Sequence, residues 1–278
     1  MNHYEFSFQV TDTTQQEELI ALLSSIGFTG FDESNDACKA YIPVDDFDET
    51  AFNQILDIIA ISFTKSIIKE ENWNAIWESG FEPVTIPSFQ EGKPWVRIRA
   101  GFHDADASIS IDINITPRMS FGTGHHATTY MMVQLMGLIP VTGTRVIDFG
   151  SGTGVLAILA EKLGASSVLA IDYDPWCISN AADNLQANQC TKIRLIQLDK
   201  MPRVEEPVDI ILANINLNII KDNLDAISDA VKPGGWILFS GLLRTDAPEF
   251  DRMISDKGLQ KIQYVEKDQW AAWLTQKL

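Results

Sequence analysis

The chain has 278 residues, 45% hydrophobic and 21% charged, so it is long enough for two domains and too apolar for a disordered protein. Its net charge of −17 argues against nucleic acid or an anionic membrane as a direct partner, and it is compatible with a strongly basic protein partner. Three widely spaced cysteines indicate no disulfide framework or zinc site, and no signal peptide or membrane-length apolar run is visible, so we expect a cytoplasmic protein.

The first 69 residues predict a small α+β domain. Its predicted elements are a strand at 3–10, a helix at 11–27, paired strands at 28–33 and 37–43, a helix at 49–61 and a strand at 62–69. This order is typical of split-βαβ, or ferredoxin-like, folds. Residues 70–82 then predict a polar linker helix, with Trp73 and Trp77 one turn apart on the same face.

Residues 83–278 predict a second domain built on a mostly parallel sheet. Two alternating strands, Lys93–Ala100 and Ala107–Ile115, come first, and we expect them to be antiparallel. Continuous apolar runs then alternate with helices, which is typical of a sheet covered on both faces. The strands are predicted at Arg145–Asp148, Ser167–Asp172, Ile193–Gln197, Val208–Asn214, Gly235–Leu243 and Gln260–Glu266. The helices are predicted at Thr128–Leu138, Val155–Leu163, Pro175–Asn188, Asn216–Ala230 and Glu249–Lys257.

A glycine-rich turn follows the first strand of that series and points to a nucleoside cofactor. Gly150, Gly152 and Gly154 occur at alternate positions, where a tight strand-to-helix turn and a close ligand require residues without a β-carbon. Asp172 ends the next strand, 22 residues after Gly150, a position from which a carboxylate accepts hydrogen bonds from ribose hydroxyls. The alternative is a glycine-rich turn that binds no ligand.

The spacing of the glycines favours S-adenosylmethionine over a dinucleotide. A dinucleotide fold requires Gly-x-Gly-x-x-Gly, whereas here the third glycine comes one residue early. Asp148 stands two residues before the turn, where it would repel a pyrophosphate but could bind an ammonium group. S-adenosylmethionine carries an ammonium and a sulfonium and no phosphate, so it suits this turn better.

Two further segments flank the predicted cofactor site. Residues 121–129 (Phe-Gly-Thr-Gly-His-His-Ala-Thr-Thr) form a polar, glycine-rich loop that could close over a cofactor, or that could be an ordinary loop with Thr128 or Thr129 capping the next helix. No acid or cysteine lies at metal-ligand spacing from its two histidines, so no metal is predicted. Asn214 ends a strand at the edge where ligands bind in such sheets, and its amide oxygen could orient a substrate amine.

Together these segments resemble the ribosomal protein L11 methyltransferase family. The motifs that carry the resemblance are Phe121–Thr129, Val146–Gly154, Ile171–Pro175 and Ala213–Ile215, and the match extends over about residues 70–278. The family usually has Asp-Pro-Gly-x-Ala ahead of the first motif, whereas this chain has Thr116-Pro-Arg-Met-Ser, which leaves the entry to that loop open.

The resemblance implies a monomeric, two-domain enzyme that uses S-adenosylmethionine to methylate lysine side chains and the N-terminal amine of a basic ribosomal protein. It implies a substrate-recognition domain at 1–69, a linker helix at 70–82 and a seven-stranded, Rossmann-like class I methyltransferase domain at 83–278. Asn214 is the candidate catalytic residue. The candidate cofactor-binding residues are Phe121, Thr129, Asp148, Gly150, Gly152, Asp172 and Asn214.

Three alternatives remain open from the sequence. The first is a methyltransferase with another acceptor: a protein glutamine, a small amine or RNA. The second is a nicotinamide-dependent oxidoreductase, against which the glycine spacing argues. The third is a module that binds S-adenosylmethionine without catalysis.

Overall fold

The computed structural model describes residues 2–10, 12–33, 37–59, 61–68, 80–118 and 121–278. The chain divides into two units, Met1–Ile76 and Trp77–Leu278. Most of the predicted linker helix at 70–82, with Trp73 and Trp77, lies outside the described residues. Within the described ranges, no helix has both the length and the apolar character needed to span a membrane.

In the first unit, two helices pack against a four-stranded antiparallel sheet. Phe6 and Phe8 of the first strand are fully buried. The ring centroid of Phe6 lies 4.6 Å from that of Phe52, which belongs to the second helix. Asp12 and Asp48 cap the two helices by accepting hydrogen bonds from backbone N–H groups of the first turn. The elements are β1 (His3–Phe8), α1 (Thr13–Ser25), β2 (Gly30–Glu33), β3 (Cys38–Pro43), α2 (Glu49–Ile58) and β4 (Phe63–Ile68), and the strand order is β2-β3-β1-β4.

The second unit begins with a three-stranded sheet made of β5 (Val84–Pro87), β6 (Pro94–Ala100) and β7 (Ile111–Ile115). The expectation that the two alternating strands, here β6 and β7, are antiparallel is wrong, because Val96 pairs in parallel with Ile111. The connection of residues 101–110 is long enough to return the chain to the start of β6. On its other side, the backbone of β7 is held by the side chain of Asn188, which exchanges two hydrogen bonds with Asn114.

The second unit continues with a large sheet in which one strand runs against the others. The remaining elements are α3 (Ala127–Met136), β8 (Arg145–Phe149), α4 (Val155–Lys162), β9 (Ser167–Asp172), α5 (Pro175–Ala187), β10 (Ile193–Gln197), β11 (Val208–Asn214), α6 (Leu217–Ala230), β12 (Val231–Leu243), α7 (Ala247–Asp256), β13 (Leu259–Lys267) and β14 (Trp270–Lys277). The strand order is β10-β9-β8-β11-β12-β14-β13, and only β14 is reversed. This confirms the predicted seven-stranded, mostly parallel sheet, although β14 itself was not among the predicted strands.

Helices cover both faces of the large sheet. Apolar side chains of α3 and α4 pack on one face together with the three-stranded sheet. Those of α6 and α7 pack on the other, where the fully buried rings of Phe239, Phe250 and Trp273 lie in edge-to-face contact. Since the parallel strands share a direction, their carboxyl ends meet at one edge, and the predicted site residues at 150, 172 and 214 lie there.

Candidate functional site

The glycine turn after β8 has the backbone geometry that the sequence predicts. Gly150, Gly152 and Gly154 have φ angles of +80°, +54° and +78°, in the region that only glycine adopts without strain. A β-carbon on Gly150 would lie 2.1 Å from Cγ2 of Ile215, and one on Gly152 would lie 2.4 Å from the backbone oxygen of Phe121. The turn therefore needs glycine for conformation and for close packing.

Asp172 ties the turn to the end of β9. Its Oδ2 accepts a hydrogen bond from the backbone N–H of Gly152 at 2.8 Å, and its Oδ1 accepts one from Asp174 at 3.0 Å. The residue is 7% exposed and lines the central cavity. Because each carboxylate oxygen has more than one acceptor site, Asp172 can hold the turn and still accept hydrogen bonds from a ligand.

The Phe121–Thr129 segment packs directly on the turn. The N–H of Thr153 donates to the backbone oxygen of Phe121 at 3.0 Å, and the Thr153 hydroxyl donates to that of Gly122 at 2.9 Å. The cap of α3 is His126, whose Nδ1 accepts from the N–H of Thr128, so the alternative in which Thr128 or Thr129 caps this helix does not hold. Burial lowers the pKa of His126, which favours the neutral ring that can accept this bond.

Asn214 presents a buried acceptor at the end of β11. Its Nδ2 donates to the hydroxyl of Thr129 at 3.4 Å, whereas its Oδ1 has no hydrogen-bond partner among the described residues. Asn214 is 9% exposed and lines the cavity, while Thr129 is fully buried behind it. An unpaired amide oxygen at this depth is costly unless a ligand donates to it.

Asp148 lies beneath the turn. It is completely buried, and its Oδ2 accepts from the N–H of Ala157 at 3.1 Å while its Oδ1 lacks a partner in the described part of the chain. Burial raises the pKa of Asp148 to about 7, with a smaller contribution from the negative charge of Asp172. Asp148 and Thr129 are not among the residues that line the cavity.

A cavity of about 730 Å³ opens at the carboxyl edge of the sheet, within the size range of small-molecule sites. The structure brings five of the predicted site residues together in its wall: Phe121, Gly150, Gly152, Asp172 and Asn214. The wall also contains residues that the sequence argument missed: Phe149, Tyr173, Asp174, Cys177, Leu198, Asp199, Ile215, Asn216, Ile219, Gly241 and Trp270. Asp199 follows β10 much as Asp172 ends β9, and this repeated pattern was a signal that could have identified it.

The Phe121–Thr129 segment carries two adjacent histidines, His125 and His126. His125 and His126 belong to no group of three or more possible ligands among the residues that the structure describes. The rings of Phe121 and Trp270 instead each make an edge-to-face contact with His126, with ring centroids 4.9 Å and 4.8 Å from that of the imidazole. His126 therefore joins two aromatic residues of the cavity wall.

The sheet with one reversed strand, the glycine turn after β8 and the acid ending β9 define a class I S-adenosylmethionine-dependent methyltransferase. Residues 6–278 match the model of the family described as "Ribosomal protein L11 methyltransferase (PrmA)", and the chain belongs to this family.

Known relatives support this assignment along nearly the whole chain. A ribosomal protein L11 methyltransferase of Porphyromonas gingivalis is 35% identical over 286 residues, which cover 98% of this chain and 97% of the relative. One from Bacteroides fragilis is 33% identical over 281 residues and covers 98% of both chains. The crystal structure of a ribosomal protein L11 methylase from Lactobacillus delbrueckii subsp. bulgaricus aligns with a TM-score of 0.61 at 26% identity, over 66% of this chain and 95% of that one.

The residues of the cavity fit S-adenosylmethionine. Asp172 offers carboxylate acceptors beside the glycine turn, and Gly150 and Gly152 of the turn line the same cavity. Asn214, which lines the same cavity, adds a neutral acceptor in its unpaired, buried Oδ1. These groups suit a ligand that carries hydroxyls and a positive charge and no phosphate.

Proposed function

We propose that this protein methylates amino groups of ribosomal protein L11, at lysine side chains and at the N-terminal amine. The observation that carries the proposal is Asn214, a residue of the cavity wall whose buried Oδ1 has no hydrogen-bond partner among the described residues. An amide oxygen accepts a hydrogen bond from an amine N–H, and because it carries no charge it does not favour the ammonium form. The names of the full-length relatives supply the identity of the protein substrate.

The amine must be neutral when it attacks. A free lysine has a pKa of about 10.4, so the site has to favour loss of the proton, and burial against neutral groups does this. Phe121, Ile215 and Trp270 share the cavity wall with Asn214. Asn214 would direct the amine lone pair, while these apolar groups would exclude water from the reacting atoms. S-adenosylmethionine, when bound, supplies a methyl group activated by the sulfonium charge.

The other predicted residues would hold the cofactor directly or support those that do. Asp172 would accept from the ribose hydroxyls, and the backbone at Gly150 and Gly152 would lie beside the methionine portion. Thr129 would act through Asn214, to which it is hydrogen-bonded, and Asp148 through the turn above it, since neither lines the cavity.

Substrate recognition would fall to the first unit. Its strand β4 is exposed along its whole length, and Phe63, Ile67 and Ile68 present large apolar side chains there. The net charge of −17 suits a basic ribosomal protein. An Ile67→Glu variant should raise the KM for the protein substrate and leave the affinity for S-adenosylmethionine unchanged. An unchanged KM in this variant would contradict a role of β4 in substrate recognition.

The monomeric state, the cytoplasmic location and the absence of nucleic-acid contacts stay predictions.

Mass spectrometry of purified ribosomal protein L11 after incubation with enzyme and S-adenosylmethionine tests the proposal. The expected result is one or more methyl groups, mapped to lysine side chains and the N-terminal amine. An Asn214→Ala variant should lower kcat by about 10²-fold, because the amine loses its orientation. The matched control is Asn223→Ala, a buried asparagine in α6 whose side chain binds the backbones of Met201 and Ile219.

The control should lower the unfolding temperature and leave kcat near that of the wild type. Methyl groups found on glutamine amides, or none at all on L11, would contradict the proposed acceptor. Equal losses of activity in the Asn214 and Asn223 variants would contradict the role given to Asn214, since instability alone would then explain both.

A further inference from the structure

Three asparagines are spaced four residues apart on one side of α5 and its C-terminal cap. Asn188, the cap residue, accepts from the N–H of Asn114 through Oδ1 at 3.0 Å and donates to its backbone oxygen through Nδ2. One turn earlier, Asn184 accepts from the N–H of Thr116 at 2.7 Å. The Nδ2 of Asn184 also donates to the backbone oxygen of Thr153 at 2.9 Å, so this residue joins the chain leaving β7 to the glycine turn. We call this set the asparagine ladder.

The spacing of the ladder follows from the geometry of helix and strand. Four residues of a helix rise about 6.0 Å. Two residues of an extended chain advance about 6.6 Å, nearly the same distance. Each helical turn of α5 therefore meets every second residue of the chain that runs antiparallel to it, and the observed rungs at Asn114 and Thr116 obey this register. Continued by one more step, the same register puts Arg118 opposite Asn180.

Unlike Asn184 and Asn188, Asn180 forms no side-chain hydrogen bond to the facing chain among the described residues. It is completely buried, and neither Oδ1 nor Nδ2 has a hydrogen-bond partner among the described residues. Its expected partner is already docked on the same helix, because Nη1 of Arg118 lies 2.8 Å from Oδ2 of Asp183. Leaving both groups of a buried amide unpaired is destabilising, so there is a free-energy gain when they find a partner.

We propose that Asn180 is a positioning residue that pairs with the backbone of Arg118 in the cofactor-loaded enzyme. Its Oδ1 accepts from the N–H of Arg118, and its Nδ2 donates to the carbonyl oxygen of the same residue, as Asn188 does at Asn114. Phe121 follows three residues later, lines the cavity and is held on the glycine turn by Thr153. These two hydrogen bonds hold the chain at Arg118 and thereby set the position of Phe121 beside the cofactor.

The test compares Asn180→Leu with Asn184→Leu in the full-length protein. Asn180→Leu should lower the affinity for S-adenosylmethionine and S-adenosylhomocysteine by about 10- to 30-fold in calorimetry, the factor expected for two neutral hydrogen bonds. Its unfolding temperature without cofactor should equal or exceed that of the wild type, because two unpaired polar groups are removed. Asn184→Leu should lower that temperature, because it leaves Thr116 and Thr153 without their partners.

Hydrogen exchange measures the proposed bond itself. In the wild type, S-adenosylhomocysteine should slow exchange at the amide of Arg118, and in Asn180→Leu it should not. Unchanged cofactor affinity in Asn180→Leu would overturn the proposal, and so would unchanged protection of Arg118. If the leucine variant does not fold, Asn180→Ala is measured by the same two assays and the same outcomes decide.

Discussion

Gly241 is the position where a single added methyl group should disturb the site most. It lies at the irregularity of β12 between Phe239 and Leu242, with a φ of +86°. A β-carbon there would lie 2.4 Å from the backbone oxygen of Ile215 and 2.9 Å from its nitrogen. These are main-chain atoms, so they cannot relieve the clash by a change of rotamer as a side chain could. Gly241→Ala should therefore push the segment after Asn214 out of place.

The expected magnitude follows from two separate costs. Alanine in the left-handed region costs about 1–2 kcal/mol. Forcing an extra carbon into a packed site adds about 1–3 kcal/mol. Gly234 supplies the matched control, because it lies in the same strand with a φ of +76° and a β-carbon there meets nothing within 4 Å. Gly234→Ala should lose only the stability that the left-handed backbone conformation costs, and Gly241→Ala should also lose that of the overpacked carbon.

Urea unfolding and calorimetry with S-adenosylhomocysteine measure these effects. Gly241→Ala should lose about 2–5 kcal/mol of stability and most of its cofactor affinity, whereas Gly234→Ala should lose about 1–2 kcal/mol and keep its affinity. Equal losses of stability in the two variants, or wild-type cofactor affinity in Gly241→Ala, would contradict this prediction.

Three further predictions concern polar groups in and beside the cavity wall. Asp172→Asn should weaken cofactor binding and lower stability by about 1–3 kcal/mol, because an amide cannot accept from both Gly152 and Asp174; unchanged affinity in calorimetry would contradict this. Burial raises the pKa of Asp148 from 3.8 to about 7, so the folded protein holds a proton that the unfolded chain has released, and stability falls as pH rises between those values. Asp148→Asn should lack this fall, and parallel wild-type and variant melting temperatures between about pH 4 and 8 would argue against it. His126→Ala should cost about 1 kcal/mol in thermal unfolding through loss of the α3 cap, and an unchanged melting temperature would count against that role.

The parts of the site that depend on neighbouring residues in the sequence could be predicted. A glycine at positive φ is a local requirement, so alternate glycines after an apolar run identify the turn at 150–154 without knowledge of the rest. Asp172 and Asn214 could be placed at the cavity because the carboxyl ends of parallel strands meet at one edge. Asp199 obeys the same rule and could have been found by it.

The parts that depend on distant pairing could not be predicted. The direction of β7 is set by contacts with β6 and with Asn188, which is 74 residues away from Asn114. The place of β14 is set by its pairing with β12, and nothing in its own residues shows that it runs against the sheet. Trp270 enters the cavity wall only through that pairing, so its role there was not visible from the sequence.

The position of β14 between β12 and β13 has a consequence for the order in which the last strands join the large sheet. During synthesis, α7 and β13 leave the ribosome before β14, yet within the described part of the chain β13 pairs only with β14. The two strands are joined by only Asp268 and Gln269, so they can form a hairpin locally and add to the edge of β12 as one unit. Until that addition, the cavity lacks Trp270. We therefore expect the nascent chain to complete the cavity wall only when this hairpin has added to β12.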